Sequence, residues 1–238
     1  MRKPFLFFVL AALLFSFVSC SESAPSIVYG NIRLVRFQEA GGIKDKYSFF
    51  IIPEDDDGID DIVDFYLYHD KEGLRWHFTP EDWITIQIEG NTWIGSRAIS
   101  TMDNEALPRG QFRAVLIDKA GERSERNFTF DAPARHRFSF PTLELDGLNY
   151  KIKSDYPENK FIFFDSMGNF LLHIDVTQLE GVVPNIQADA ILAYRAQHSA
   201  EEMSHPSGSN LEAYTVVLWA EDAEYSCAAL TEAYLLPR

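Results

Sequence analysis

Six carboxylates crowd into eight residues of this chain, in the sequence Glu-Asp-Asp-Asp-Gly-Ile-Asp-Asp at 54–61. Like charges this close together need water or a cation between them. Ca²⁺ takes six to eight oxygen ligands, and a glycine such as Gly58 allows the sharp turn through which alternate carboxylates converge. The sequence therefore predicts a calcium site formed by Asp55, Asp57 and Asp60.

A solvated acidic turn between two strands is the alternative interpretation of this run. If Gly58 occupied the sixth position of an EF-hand loop, Pro53 would occupy the first position, which needs an acidic ligand. Asp64 would occupy the twelfth position, which needs a glutamate. The EF-hand pattern therefore does not match, and both interpretations stay open.

A second candidate metal site lies in the segment 196–210. His198, Glu202 and His205 would share one face of a helix, as zinc ligands can. Pro206 and the Ser and Gly residues around it argue against a stable helix there. The interpretation that follows is one or two helical turns over 196–203 and a flexible loop over 204–209.

Motifs for nucleophilic or nucleotide chemistry are absent from the sequence, which contains no G-x-S-x-G elbow, phosphate-binding loop or dinucleotide fingerprint. We therefore expect no enzyme and no cofactor other than the candidate calcium. Two carboxylates suited to glycoside hydrolysis stay open, because in a β protein they lie far apart in sequence. Four tryptophans could stack on sugars, although their polar neighbours favour packing in a core: Trp76, Trp83, Trp93 and Trp219.

Alternating apolar and polar residues dominate the first half of the chain and predict strands. Ile84, Ile86 and Ile88, for example, alternate with polar residues and should share one face. Turn signals such as Asp57-Gly58 and Ala120-Gly121 separate the runs. About seven strands result, the number expected of an immunoglobulin-like sandwich: 29–37, 47–52, 63–67, 74–78, 84–88, 111–117 and 125–130.

A break in the pattern at 131–137, where Pro133 lies, predicts a domain boundary. A second β-rich domain should follow over 136–238. The sequence Phe164-Asp165-x-x-Gly168 echoes Ile117-Asp118-x-x-Gly121, as two related sandwiches in tandem would. The candidate strands of the second domain are 138–145, 148–153, 160–165, 170–176, 189–195 and 213–220.

The amino terminus has the plan of a signal peptide. Arg2 and Lys3 precede an apolar run that ends at Val18, which is shorter than the roughly 20 apolar residues of a spanning helix. We therefore predict that residues 1–19 are a signal peptide.

The next residue, Cys20, completes a short pattern with its neighbours. Phe17-Val18-Ser19-Cys20 resembles a lipobox, whose cysteine is diacylated and becomes the first residue of the mature protein. Phe17 stands where leucine is usual, as in the looser lipoboxes of spirochaetes. The resemblance implies lipidation of Cys20, a tether over 20–26 and attachment to a bacterial membrane. An ordinary secreted protein, cut for example before Ala24, is the alternative.

A lipidated Cys20 leaves Cys227 without a cysteine partner, so no disulfide framework is expected. Small apolar neighbours favour a structural thiol at Cys227 rather than a nucleophile. Removing residues 1–19 leaves 19 basic and 36 acidic residues, a net charge of −17. Nucleic acid is therefore not an expected partner, whereas cations and basic protein patches are.

Two further motifs support a resemblance to known bacterial domains. Val115-Leu116-Ile117-Asp118-Lys119-Ala120-Gly121 resembles the closing hairpin of immunoglobulin-like and fibronectin-type-III-like domains, and the acidic run resembles a loop of bacterial extracellular sandwiches. The combination is similar to spirochaete lipoproteins that carry such domains. It implies two tandem immunoglobulin-like β-sandwiches in an all-β chain, the first over 27–132.

Sandwiches of this kind usually carry binding in their loops. The expected function is therefore that of a lipid-anchored binding or structural module of the cell envelope, with a protein or another envelope component as partner. The alternative is an envelope carbohydrate-active enzyme or a sugar-binding accessory protein.

Overall fold

The computed structural model describes residues 23–39, 41–88, 90–102, 105–133, 135–197 and 211–237. Strands dominate, which confirms the prediction of an all-β protein, and the strands form sandwich-like layers. Within these ranges, no helix has the length and apolar character that crossing a membrane requires. The predicted signal peptide and Cys20 lie outside the described residues.

Eight strands form the first half of the fold. Strand β1 begins at Ser26, at the end of the predicted tether. The strands are β1 (Ser26–Glu39), β2 (Gly42–Glu54), β3 (Ile62–His69), β4 (Leu74–Phe78), β5 (Ile84–Ile88), β6 (Asn91–Ile99), β7 (Gly110–Asp118) and β8 (Arg123–Phe130).

The described part of the second half contains nine elements, eight strands and one α-helix. They are β9 (Thr142–Asp146), β10 (Asn149–Lys153), β11 (Glu158–Phe164), β12 (Phe170–Asp175), β13 (Glu180–Val182), α1 (Ala188–Gln197), β14 (Thr215–Asp222), β15 (Cys227–Leu230) and β16 (Tyr234–Leu235).

These strands pair into three sheets. Sheet A has nine strands in the order β12-β11-β14-β15-β1-β2-β6-β5, with β16 added beside β14. Sheet B is β4-β3-β7-β8, and sheet C is β13-β10-β9. Sheet A thus draws strands from both halves of the chain, whereas sheets B and C each belong to one half.

Two separate cores lie between these layers. The first joins sheet A to sheet B and contains the fully buried Tyr47, Phe49, Phe65 and Phe112. The second joins sheet A to sheet C and is formed by ten buried residues: Leu143, Ile152, Phe161, Phe163, Leu171, Leu172, Val183, Ile191, Val216 and Leu218.

The two halves meet where β1 and β15 pair in parallel. Leu34 of β1 lies beside Cys227 of β15, and Leu34 belongs to the first core while Cys227 packs against it. Two positions further along, Arg36 lies beside Ala229, and Ala229 lies beside Ala220 of β14, two positions after Leu218 of the second core. Since side chains alternate along each strand, both cores lie on the same face of sheet A.

Most predicted strands of the first half coincide with observed ones, but β6 was missed. Its sequence, Asn-Thr-Trp-Ile-Gly-Ser-Arg-Ala-Ile, breaks the apolar alternation at Gly95. The structure shows why glycine is present: a Cβ at Gly95 would lie 2.0 Å from the carbonyl oxygen of Phe49. Gly95 therefore allows β6 to pair closely with β2, and the same residue interrupts the alternating pattern from which the strand would have been predicted.

In the second half, the predicted strand 189–195 is wrong, because these residues belong to helix α1. Ala188, Ala190, Ala193 and Ala196 give the segment a high helix propensity, which outweighs its short apolar alternation. Ile191 of the helix is buried in the second core. Strands β13, β15 and β16 were also missed, since each has four residues or fewer.

The echo between Asp118 and Asp165 proves to be one turn used twice. Each aspartate is buried, lies at or directly after the end of a strand, and accepts at Oδ1 the backbone N–H of the residue four positions later, at 2.8 Å in both cases. However, Asp118 ends the seventh strand of the first half, and Asp165 follows the third strand of the second. The echo therefore reports local turn chemistry and not corresponding positions of a repeat.

The division into two domains near 131–137 stays a prediction, and the separate cores provide its test. Gly95→Ala should destabilise the first core by steric clash, and Phe163→Ala should destabilise the second by about 3–5 kcal/mol through a cavity. If the domains unfold independently, calorimetry of the mature chain will show each variant lowering the midpoint of a different transition. A single transition that both variants lower would mean that the two halves form one cooperative unit.

Candidate functional site

Three carboxylates converge where the β2–β3 loop meets the β7–β8 hairpin. Oxygens of Asp55, Asp61 and Asp118 lie within 4.8 Å of one another. Asp118 is almost completely buried, and the Oδ2 oxygen of Asp55 is buried without a hydrogen-bond partner among the described residues. Three hard oxygen donors at this separation are the kind of ligand set that Ca²⁺ prefers.

The local backbone explains how this cluster forms. Gly58 has φ 97° and donates its N–H to the carbonyl of Asp55 at 3.0 Å, which closes a tight turn. The next turn brings Asp61 to the hairpin, where the Asp61 carbonyl accepts the N–H of Lys119 at 2.9 Å. The acidic loop and the hairpin are therefore fixed to each other by backbone hydrogen bonds.

Of the three ligands predicted from the sequence, the structure places Asp55 in this cluster. The exposed side chains of Asp57 and Asp60 are not among the described carboxylates that converge there. Asp118 was missed because it lies more than fifty residues away along the chain. The ammonium of Lys119 lies 3.7 Å from Asp61 Oδ1 and supplies positive charge to the cluster from the protein itself.

A second candidate site, a cavity, lies elsewhere, on the face of sheet A turned away from both cores. It is an open groove of about 420 Å³. Fourteen residues line it, contributed by eight strands of both halves: Arg33, Val35, Phe37, Ser48, Ile86, Ile88, Arg97, Lys160, Ile162, Phe164, Phe170, His173, Trp219 and Leu230. We call this site the sheet-A groove.

A row of side chains crosses the junction between the halves on the floor of this groove. Phe37 of β1 lies beside Leu230 of β15, Leu230 beside Trp219 of β14, and Trp219 beside Lys160 of β11. The groove therefore exists because β1 and β15 pair, since neither half contains the whole row.

The charged side chains that line the sheet-A groove are basic, although the chain as a whole carries a formal net charge of −15. Arg33, Arg97 and Lys160 contribute cationic groups, and none of the described lining residues is an aspartate or glutamate. Carboxylates lie beside the groove: Arg33 Nη1 is 2.9 Å from Glu221 Oε1, and Lys160 Nζ is 3.6 Å from Glu158 Oε2.

The stripe predicted at Ile84, Ile86 and Ile88 faces the groove side of the sheet. Ile86 is 8% exposed and lines the groove with Ile88, while Ile84 is exposed farther along the edge strand. Alternation thus identified the shared face correctly, but a strand pattern by itself does not say what that face contacts.

All four tryptophans are half-buried. Trp76 and Trp83 pack against the first core, and Trp76 Nε1 donates to the carbonyl of Ser100 at 2.8 Å. Trp93 packs edge-on against Tyr29, with a 5.6 Å separation between ring centroids. Trp219 differs, because it lines the sheet-A groove.

The remaining residues considered in the sequence are Cys227 and the three candidate zinc ligands. The Cys227 thiol donates to the carbonyl of Tyr225 at 3.3 Å, and burial raises the pKa of Cys227 above its ordinary value. A thiol held in its protonated form is a poor nucleophile. The candidate zinc ligands His198, Glu202 and His205 lie outside the described residues.

Comparison with known proteins adds little to this geometry. No family model matches the chain, and no curated protein matches it. Among solved structures, the chain is similar to dimeric latent PorU from Porphyromonas gingivalis, with 9% sequence identity and a TM-score of 0.31. The match covers 91% of this chain and 20% of that protein, so the chain spans about a fifth of its length. A similarity this distant carries no argument about function.

The calcium site remains a prediction, and the structure sharpens its test. If Asp55, Asp61 and Asp118 bind Ca²⁺, the ion should stabilise the fold by roughly 2.7 kcal/mol at a hundredfold excess over Kd. Asp61→Asn should remove most of the resulting rise in Tm, because it removes a ligand charge without altering the Asp118 turn. Asp57→Asn is the matched control and should keep the rise.

Two further ions complete this experiment. Mg²⁺ demands a tight octahedral geometry and should raise the Tm less than Ca²⁺, and Na⁺ at matched ionic strength measures simple screening of the acidic chain. An equal response to all three ions would identify the loop as a solvated acidic turn. Loss of the response in Asp57→Asn but not in Asp61→Asn would instead favour the ligands predicted from the sequence.

Proposed function

We propose that this chain is a bacterial lipoprotein of the cell envelope, held to a membrane by lipid on Cys20. Two tandem immunoglobulin-like sandwiches present a ligand-binding groove, and the protein acts by binding or by supporting envelope structure, without catalysis. The observation that carries the proposal is the sheet-A groove, an apolar and basic cavity across the junction of the two halves.

Strand order supports the immunoglobulin-like assignment of the first half. In such domains, strands A, B, E and D form one sheet and strands C, F and G the other. Lettered in chain order from β1 to β8, the sheets here run A-B-E-D and C′-C-F-G, with C′ as an added edge strand.

The second half supports the same assignment without a strand D and with β16 added beside β14. If β9 and β10 are A and B, β11 and β12 are C and C′, β13 is E, and β14 and β15 are F and G, the sheets run A-B-E and C′-C-F-G. The two sandwiches are then joined by strand G of the second and strand A of the first.

Charge supports the choice of partners. A mature net charge of −17 repels the phosphate backbone of nucleic acids and the anionic surface of a membrane. Attachment to the membrane therefore depends on the lipid anchor. A partner in the envelope would contact either the acidic surface or the basic lining of the groove.

The alternative, a carbohydrate-active enzyme or a sugar-binding accessory protein, has less support. Sugar binding by stacking uses aromatic faces that are open to solvent, whereas Trp76 and Trp83 pack against the first core and Trp93 against Tyr29. Trp219 has a cation above its ring, since the Arg33 guanidinium carbon lies 5.9 Å from the ring centroid.

Lipidation is tested by changing the cysteine that would carry it. Cys20→Ala should abolish labelling of the protein by a radioactive or clickable fatty acid and should move the protein from the detergent phase to the aqueous phase. Cys227→Ala removes the other cysteine of the chain and should leave both results unchanged. Persistent labelling of Cys20→Ala would contradict the proposed anchor.

Binding in the groove is tested by filling it. Ser48 is half-buried, lines the groove and lies beside Arg33, so Ser48→Phe should occupy the cavity. Nile red, an uncharged dye that fluoresces in apolar sites, should bind the mature Cys20→Ala protein and lose most of its affinity in Ser48→Phe. Thr85→Phe adds a similar bulk at an exposed position and points to the opposite face of sheet A. Equal binding by both phenylalanine variants would contradict a binding function of the groove.

A further inference from the structure

The size of the sheet-A groove limits what can occupy it. Its volume of about 420 Å³ lies within the range of roughly 300–1,000 Å³ that is typical of small-molecule sites. Fourteen residues line it, whereas a standard protein interface uses roughly 20–30 residues on each side. The groove therefore suits a small ligand better than the surface of a folded protein.

The backbone around the groove also argues against an extended peptide. Peptides that add to sheets gain much of their affinity from the unpaired backbone groups of an edge strand. Strands β1, β15 and β14 on the groove floor are interior strands, each paired on both sides. A ligand on the groove floor must therefore bind to the protein's side chains and not to its backbone. An aliphatic chain can do so, because it has no hydrogen-bonding groups to satisfy.

Apolar contacts for such a chain run across the junction. Phe37, Leu230 and Trp219 lie on neighbouring strands in one row, and Ile162, Phe164 and Phe170 extend the apolar lining on the second half. Each methylene buried against these side chains contributes favourably to binding through the hydrophobic effect. The lining thus matches the long axis of a single acyl chain.

The basic side chains specify the other end of the ligand. Lys160 continues the apolar row beyond Trp219, and the Arg33 guanidinium lies over the Trp219 ring. The carboxylate partners of these two cations, Glu158 and Glu221, do not line the groove. The described lining therefore presents cations and no carboxylates to an anionic group, although the chain has a net charge of −15.

We propose that the sheet-A groove binds a long-chain fatty acid, with the acyl chain along Phe37, Leu230 and Trp219 and the carboxylate at Lys160, the next residue of the same row. The proposal rests on the proposed function, because a protein tethered at a membrane surface meets such amphiphiles. It deepens that function by naming the class of ligand.

The experiment uses the mature Cys20→Ala protein and the fluorescent fatty acid cis-parinaric acid. We expect saturable binding of one molecule per chain and displacement by palmitic acid. Hexadecanol has the same chain length without the charge and should compete about tenfold less well, because charge-assisted hydrogen bonds to the carboxylate are lost. Ser48→Phe should abolish binding, and Thr85→Phe should not.

Charge reversal tests the carboxylate site separately from the apolar row. Lys160→Glu should weaken palmitic acid binding about tenfold while leaving hexadecanol binding unchanged. Arg123→Glu reverses a charge at an exposed position on sheet B and should alter the binding of neither ligand. Unchanged palmitic acid affinity in Lys160→Glu would overturn the assignment of the carboxylate.

The outcomes separate this inference from the proposed function. Groove-dependent Nile red binding without displacement by palmitic acid, or equal displacement by hexadecanol and palmitic acid, would overturn the fatty-acid inference and leave a binding groove. If neither Nile red nor palmitic acid bound in the groove, both the proposed binding function and the fatty-acid inference would be overturned. A dimer in sedimentation that Ser48→Phe dissociates would assign the groove to a second copy of the chain and overturn the fatty-acid inference.

Discussion

The parallel pairing of β1 with β15 is the constraint on which the rest of the structure depends. It joins Leu34–Phe37, near the start of the described chain, to Cys227–Leu230, near its end. Because this pairing continues one sheet through both halves, sheets B and C are directed to the same face of sheet A. Within the described ranges no layer covers the opposite face, and the sheet-A groove lies there.

The segment 131–141, which connects β8 to β9, reinforces this pairing through residues that contact both halves. Arg36 Nη1 donates to the carbonyl of Phe138 at 3.2 Å, and Phe138 packs against Tyr156, with ring centroids 5.0 Å apart. His136 Nε2 lies 3.0 Å from Asp45 Oδ2. Most exposed ion pairs contribute little to stability, so the buried aromatic contact is the stronger of these constraints. Phe138, the first residue after the predicted boundary segment 131–137, is therefore in contact with both halves.

Local patterns in the sequence predicted the strands well, because alternation within five to eight residues is decided by which face each side chain meets. They failed where a different effect prevailed: Gly95 broke the pattern of β6 to permit close pairing, and alanines turned 188–197 into a helix. Partners distant in sequence were invisible for a different reason. Asp118 reaches Asp55, and β15 reaches β1, through pairing that no local spacing encodes.

Exposure of an apolar sheet face to water is unfavourable in free energy. Polar contacts among Arg33, Glu221 and Trp219 help to keep the groove face of sheet A ordered. Arg33 of β1 pairs with Glu221 of β14 across β15, at 2.9 Å between Nη1 and Oε1. The other oxygen of Glu221 accepts the Trp219 indole N–H at 2.8 Å, and the Arg33 guanidinium lies over the Trp219 ring. Because Glu221 is buried and Trp219 half-buried, these contacts are shielded from water and stronger than surface pairs. They connect the two halves across the groove floor and hold Trp219 in place, so the same three side chains support the junction and shape the cavity.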